Sequence, residues 1–430
     1  MLAQITLWGR TIGAASLDDQ HVCRFEYDSS FTHSGIEVSP LRMPLSPEIY
    51  AFPNLNHQTF HGLPGLLADS LPDKFGNALI DAWLATQGRP AQSLNAIERL
   101  CYTGTRGMGA LEFEPSTNTT PSKTETLEIS HLVELASSVL SHRNQLHTHF
   151  GEDDASALTD ILRVGTSAGG ARAKAVIAWN PTSHEVRSGQ ADTANGFEHW
   201  LLKFDGVNSN KDKELDDPQG YSALEYAYHL MATQAGIDMM PCRLLEENGR
   251  RHFMTQRFDR TADGKKLHMQ SLCALAHYDF NLAGAYSYEQ AFLAIRQLGL
   301  GMDSIEQQFR RMTFNIVARN QDDHVKNIAF LMDKTGKWSL SPAFDITYSY
   351  NPDGQWTYSH QMTLNGKRND FTLEDFITCG KTVGLKRGRA KTILSEVTDT
   401  VNQWQHFADQ AEINQHWTTE IAKTHRLKIH

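Results

Sequence analysis

The hydrophobic pattern along the chain changes period several times, and each change predicts a change of element. Over residues 1 to about 60 apolar positions recur in short alternating runs. "QITLWGRTIGA" predicts a hairpin around Gly9, and "CRFEYD" a single strand. From Gly65 to Gly88, "GLLADSLPDKFGNALIDAWLATQG" puts Leu, Phe, Ile and Trp at helical spacing. Residues 114–128, "EPSTNTTPSKTETLE", replace apolar residues by Ser, Thr and Pro and read as a linker.

An amphipathic helix, "ISHLVELASSVLSHRNQL", opens the next region, which then takes on the strand period. "AKAVIAWNP", "HWLLKFDG" and "CRLLEENGRRHFMTQRFD" predict strands, with turns at Asn180-Pro181 and Asn248-Gly249. One long helix, "GYSALEYAYHLMATQAGI", interrupts them. From about residue 285 helices dominate: "SYEQAFLAIRQLGL", "SIEQQFRRMTFNIVARN", "TLEDFITCGKTVGL" and the tail over 390–425. The exception is "NIAFLMDKTGKWSLSPAFDIT", predicted as an isolated hairpin turning at Thr335-Gly336. No internal repeat is visible. The predicted class is α+β, with a small N-terminal α+β domain (1–115), a sheet-rich lobe (128–260) and a helical lobe (261–430).

Composition narrows the class without naming a function. The 430 residues are 40% hydrophobic and 21% charged, as in an ordinary folded protein. A formal net charge of -10 argues against binding nucleic acid through an overall positive field. "LKRGRAK" at 385–391 is the clearest basic cluster, and such runs are most often solvated helix ends. Cys23, Cys101, Cys242, Cys273 and Cys379 are scattered, with no metal-ligand spacing, which suggests reduced thiols in a cytosol. No run approaches the roughly 18 apolar residues of a membrane span. The expected location is cytoplasmic, with no membrane partner.

The chemistry concentrates in "NQDDHVKN", 320–327. If the predicted hairpin forms, Asp322 lies in the loop entering it, Asn327 opens its first strand and Asp345 follows its second. Magnesium-dependent phosphoryl transfer needs that set: a carboxylate to orient the attacking hydroxyl, and an Asn and an Asp to hold the metal on the phosphates. The Asp322-to-Asn327 spacing equals the D-x-x-x-x-N of protein-kinase catalytic loops. Taken alone, the stretch reads more readily as a polar loop capping a helix.

Other parts of a kinase site occur in the expected order. "VGTSAGGARAKAVIAW" offers Gly165, Gly169 and Gly170 ahead of a strand, where backbone N–H groups can approach phosphate oxygens. Lys203 stands alone in the apolar strand "HWLLKFDG", where an unpaired ammonium is costly to bury. Glu225, on the long helix that follows, is its candidate partner.

At this point the chain resembles the HipA-type serine/threonine kinases, toxins of bacterial toxin–antitoxin pairs. The residues that carry the likeness are "NQDDHVKN", "SPAFDI" (341–346), "TQRFDR" (255–260) with "MQS" (269–271), and "TSAGGARAK" (166–174). "SLPDKFGNAL" and "GTRGMGALEFEP" are similar to the family's amino-terminal domain. The resemblance implies a protein-kinase-like two-lobed fold that uses ATP and Mg2+. It implies Asp322 as the catalytic residue, Asn327 and Asp345 as metal ligands, and Lys203 on the ATP phosphates. "QRFD" would then be the adenine-binding connector, with Gln256 and Phe258 in it and Asp259 and Gln270 near the ribose. His324 would shape the same pocket or pack the loop. Ser167, followed by Gly169, Gly170 and Lys174, corresponds to a loop serine whose autophosphorylation silences the enzyme. Further implied are a protein substrate in translation such as an aminoacyl-tRNA synthetase, and a DNA-binding antitoxin of the HipB type that carries any DNA contact. A small-molecule kinase of the aminoglycoside type and a catalytically weak co-repressor subunit are the alternatives.

Overall fold

The alternating segments at the start of the chain do pair as strands. β1 (Leu2–Leu7) and β2 (Arg10–Leu17) run antiparallel, joined through Trp8 and Gly9, both with positive φ (53° and 78°). Two such residues make the turn whose twist matches a hairpin. The computed structural model describes residues 1–90, 93–117, 127–141, 161–162, 165, 172–189, 196–207 and 219–430. It divides into two units: Met1–Ser222 with Arg243–Met269 and Met332–Gly336, and Ala223–Cys242 with Gln270–Leu331 and Lys337–His430.

The first unit holds two antiparallel sheets. With β3 (Cys23–Tyr27) and β4 (Leu111–Glu114), the first hairpin forms a four-stranded sheet ordered β3-β2-β1-β4. β5 (Lys174–Trp179), β6 (Val186–Ser188), β7 (Glu198–Lys203), β8 (Cys242–Glu247) and β9 (Arg250–Gln256) form a second, ordered β6-β5-β7-β9-β8. The helix expected over 65–88 is broken: a turn at Gly65–Ala68 precedes a separate helix α1, Lys74–Thr86. Pro72 has no N–H to continue the ladder, and Asp73 caps the new start by accepting from the Gly76 N–H at 2.6 Å. α1 and a further helix α2 (Ile129–Ser141) bury Phe75, Leu79, Leu132 and Val139 in one core with Ile177, Trp200, Leu202 and Met254 of the sheet. Gly165 serves this packing, since a Cβ there would lie 2.7 Å from Leu79 Cδ1.

The long helix that interrupts the strands, α3 (Tyr221–Gln234), lies almost wholly in the second unit. With it are α4 (Tyr288–Gln297), α5 (Met302–Val317), α6 (Leu373–Thr382), α7 (Arg389–Val401), α8 (Trp404–Gln410) and α9 (Gln415–Thr424). α5 is its central element, with Ile305, Phe309, Met312, Phe314 and Ile316 all fully buried or nearly so. The hairpin is present as β11 (Ala329–Met332) and β12 (Trp338–Leu340) but is not isolated: β10 (His268–Ser271) extends it to the order β10-β11-β12. The basic cluster is a helix end, where Arg389 pairs with Glu306 and, at 3.1 Å, with Glu396. No helix among the described residues is long and apolar enough to cross a membrane.

After α9 the chain is locked down at His425. The Tyr228 hydroxyl donates to the Ala318 carbonyl at 2.7 Å, so His425 Nε2, 3.1 Å away, is the donor to Tyr228 Oη. The Trp404 ring packs edge-on against the imidazole at 5.7 Å. Burial, with Arg319 nearby, pushes the His425 imidazole down to about 3. An imidazole depressed from its free value of about 6.5 stabilises the fold fully only above that value. As pH falls below about 6.5 the unfolded chain gains a proton that folded His425 refuses, so stability declines, by about 2 kcal/mol at pH 5 from this residue. Urea titrations at pH 7 and pH 5 should show this decline, and His425→Gln, which keeps a donor and does not titrate, should reduce it.

Candidate active site

The loop after α5 is placed by two left-handed residues. Arg319 (φ 62°) turns the chain out of the helix, and Asp345 (φ 52°) turns it after β12. Non-glycine residues in this region are uncommon and cluster where a site demands them. Between them Val325–Asn327 makes one 3-10 turn into β11, and this brings Asp322, His324, Asn327 and Asp345 to one end of the hairpin.

Asp322 is half-buried, with 39% of its side chain exposed. Its Oδ1 accepts from Trp356 Nε1 at 2.9 Å and lies 3.8 Å from His324 Nε2. Burial raises its pKa; His324 and the Trp356 hydrogen bond oppose this, Asp345 and Asp323 add to it, and the net direction is upward. That is the direction a general base needs.

Asp323 is the opposite case. Buried completely, its Oδ2 accepts from the Tyr288 hydroxyl at 2.6 Å and from His360 Nδ1 at 2.7 Å, while Oδ1 accepts from the Gln361 N–H at 2.7 Å. Burial alone would raise its pKa, yet the His360 ring, the Tyr288 hydroxyl and the Gln361 amide outweigh it and hold the carboxyl below the usual range. The two neighbouring acids thus have separate tasks: Asp323 holds the loop and Asp322 faces the opening.

Asn327 Nδ2 donates to the Asp322 carbonyl at 2.9 Å, which makes Oδ1 the atom of this amide left to act as a ligand. A pocket of about 20 Å³ is lined by Tyr288, Asn315, Asp323, His324, Asn327 and Asp345, room for about one small ion or water. Among the described residues no three His, Cys, Asp or Glu side chains gather as a metal site. One carboxylate and one amide suit magnesium, which keeps water and phosphate oxygens as its remaining ligands. The acids crowding Asp322 are repulsion that such a cation would relieve, so these residues fit a metal arriving with a nucleotide.

The remaining predicted residues are distributed over both units. In the first, Lys203 is buried at the end of β7, with Nζ 5.6 Å from the Phe253 ring centre. Lys174 lies opposite it in the β5–β7 register, with its ammonium 3.6 Å from Asp73. Gln256 and Phe258 are half-buried at and just beyond the end of β9. Asp259 requires a correction: it is fully buried and accepts from Arg257 (2.6 and 2.8 Å), Arg260 (2.8 Å) and the Gly109 N–H (2.7 Å). Both of its oxygens are taken, so its side chain anchors the connector and is not a ribose ligand. In the second unit Glu225 is buried in α3. Gln270 is fully buried there too, with neither amide atom hydrogen-bonded. Ser167, Gly169 and Gly170 lie outside the described residues.

Sequence reasoning missed Asp323's role, Tyr288, Trp356 and His360. Their partners are 34 to 37 residues distant in the chain, and no local spacing signals such contacts.

Residues 3–114 match the HipA N-terminal domain family, and residues 166–405 match the HipA-like C-terminal domain family. The chain belongs to the HipA family. A solved HipA from Shewanella oneidensis MR-1, in a complex of that toxin–antitoxin system's HipA, HipB and operator DNA, is similar over 98% of this chain and 96% of its own. The TM-score is 0.68 and the identity 16%, a likeness of fold. A Haemophilus influenzae protein, provisionally named a kinase, is 22% identical over 260 residues, which are 53% of this chain and 76% of that protein. The HipA assignment thus agrees with the α+β, kinase-like organisation expected of the chain.

The different tasks of the paired acids have a direct consequence for stability. Asp323→Asn leaves buried donors facing an amide and should cost about 2–4 kcal/mol. Asp322→Asn removes a charge that its surroundings disfavour, so the melting temperature should be unchanged or higher. Thermal and urea denaturation of the two variants checks this contrast.

Proposed function

We propose that this HipA-family chain is an ATP- and magnesium-dependent serine/threonine protein kinase that acts as a growth-inhibiting toxin. The observation that carries the reading is the half-buried, up-shifted Asp322 carboxylate near Asn327 and Asp345, on a loop locked from behind by Asp323. Asp322 orients the acceptor hydroxyl and takes its proton as the oxygen bonds to the γ-phosphorus and the bond from that phosphorus to the bridging oxygen breaks, with ADP leaving. Trp356 fixes the side chain's direction, and the raised pKa strengthens it as a base. Asn327 and Asp345 would hold magnesium, which supplies charge neutralisation on the phosphates when bound. The family likeness assigns Lys203 to the ATP phosphates.

The finer parts of the proposal rest on the family likeness. The substrate is a protein of the translation machinery, of the aminoacyl-tRNA synthetase kind. Phosphate on Ser167 would add about -1.5 to -2 charges beside the triphosphate and expel the loop, which would silence the enzyme. A DNA-binding antitoxin of the HipB type is the proposed partner, as in the Shewanella complex. The match of residues 3–114 to the HipA N-terminal domain weighs against an aminoglycoside-type kinase.

Purified protein incubated with magnesium and γ-labelled ATP, followed by phosphopeptide mapping, tests this. Wild type should acquire phosphate on Ser167, and Asp322→Asn should lose about 100-fold or more of the rate. Nucleotide binding without transfer to any protein would overturn the kinase reading and favour a co-repressor subunit.

A further inference from the structure

Behind the catalytic loop, on the side away from Asp322, a buried arginine and histidine form a second hydrogen-bonded layer. Arg426, just beyond α9, donates through Nη1 to His360 Nε2 at 2.8 Å and to the Ile316 carbonyl at 2.9 Å. Through Nη2 it donates to Gln321 Oε1 at 3.1 Å and to Asn369 Oδ1 at 3.0 Å. A guanidinium has only donors, so the imidazole nitrogen facing it is an acceptor and carries no proton. His360 is fully buried, and its pKa is lowered by that burial, with Asp323 opposing the shift and Arg426 and Arg319 adding to it. The neutral ring therefore has its single proton on Nδ1, directed at Asp323 Oδ2 2.7 Å away.

We propose that Arg426 is a positioning residue for the reaction: by occupying His360 Nε2 it fixes the Nδ1–H tautomer that holds Asp323 and, through it, the loop presenting Asp322. The alternative tautomer would set an N–H against the guanidinium and a bare nitrogen lone pair against a carboxylate, losing both hydrogen bonds at once. The brace reaches Asp322 by two routes. Asp323 is its neighbour in the chain, and Gln361, whose N–H donates to Asp323, also donates through Nε2 to the Trp356 carbonyl at 2.5 Å, the residue that hydrogen-bonds Asp322. Arg426 adds a third tie through Gln321, which itself donates to the Thr357 carbonyl at 2.9 Å. The catalytic loop and the 356–361 segment are thus clamped together by one side chain remote from the opening.

The rate effect rests on the kinase reading; the tautomer does not. The test is imidazole 15N NMR of the full chain, with His360→Asn used to assign the resonance, beside steady-state kinetics. Wild type should show a pyrrole-type Nδ1 and a pyridine-type Nε2 at His360. Arg426→Gln should lose that pattern and lower kcat at least about tenfold, with KM for ATP changed less than about twofold. Arg426→Lys, which keeps one donor, should restore the shift pattern. Asn369→Ala, which removes an Arg426 contact on the far side from His360, should keep both shifts and kcat. A protonated Nε2 in wild type, or Arg426→Gln with unaltered shifts and kcat, would overturn the proposal. So would an equal loss of kcat in Asn369→Ala. A wild type that transfers no phosphate would sink the kinase reading instead, and the shifts would still decide the tautomer.

Discussion

The second unit depends on one buried negative charge. An ionised carboxylate removed from water is tolerated only when its oxygens are fully hydrogen-bonded. Asp323 meets that condition by gathering three donors from two stretches of chain: Tyr288 at the start of α4, and the His360 ring with the neighbouring Gln361 backbone. Satisfying one carboxylate therefore fixes the loop against both stretches. The loop between α5 and β11 also buries Val325 and Ile328, so this charge adds a polar anchor to an apolar one.

The constraint also explains how adjacent acids come to differ. Asp323 has three donors and Asp322 has one, from Trp356. Asp322 stands close to two other carboxylates, with a histidine 3.8 Å away as the nearest compensating group. The environment pushes the two pKa values in opposite directions, and such divergence between neighbouring groups commonly separates a structural role from a reactive one. Left-handed backbone at Arg319 and Asp345 brackets the same stretch, so strain and unfavourable charge coincide at the opening and are held there by the donors behind it.

Much of this was legible in residue order. The helical period of "SIEQQFRRMTFNIVARN" is α5, the alternation in "NIAFLMDKTGKWSL" is β11 and β12, and the Asp322-to-Asn327 spacing does converge with Asp345. Local pattern failed where the deciding contact is distant. β10 completes the small sheet from a stretch of four residues too short to show a period. Asp259 has its two arginine partners beside it at 257 and 260, but carries no mark of the Gly109 amide, which comes from 150 residues away. The pairing of Trp356 with Asp322 is a loop-to-loop contact of the same kind. The break before α1 was legible in principle, since Pro72-Asp73 is a helix-start signal inside an otherwise helical pattern.

The most direct measurement is a carboxyl 13C titration of aspartate-labelled protein, with Asp322→Asn and Asp323→Asn assigning the two resonances. Asp322 should titrate above the ordinary aspartate value of about 3.9, and Asp323 should stay ionised below it for as long as the protein remains folded. Both groups titrating together near the ordinary value, or in the reverse order, would contradict the division of labour on which the site is built.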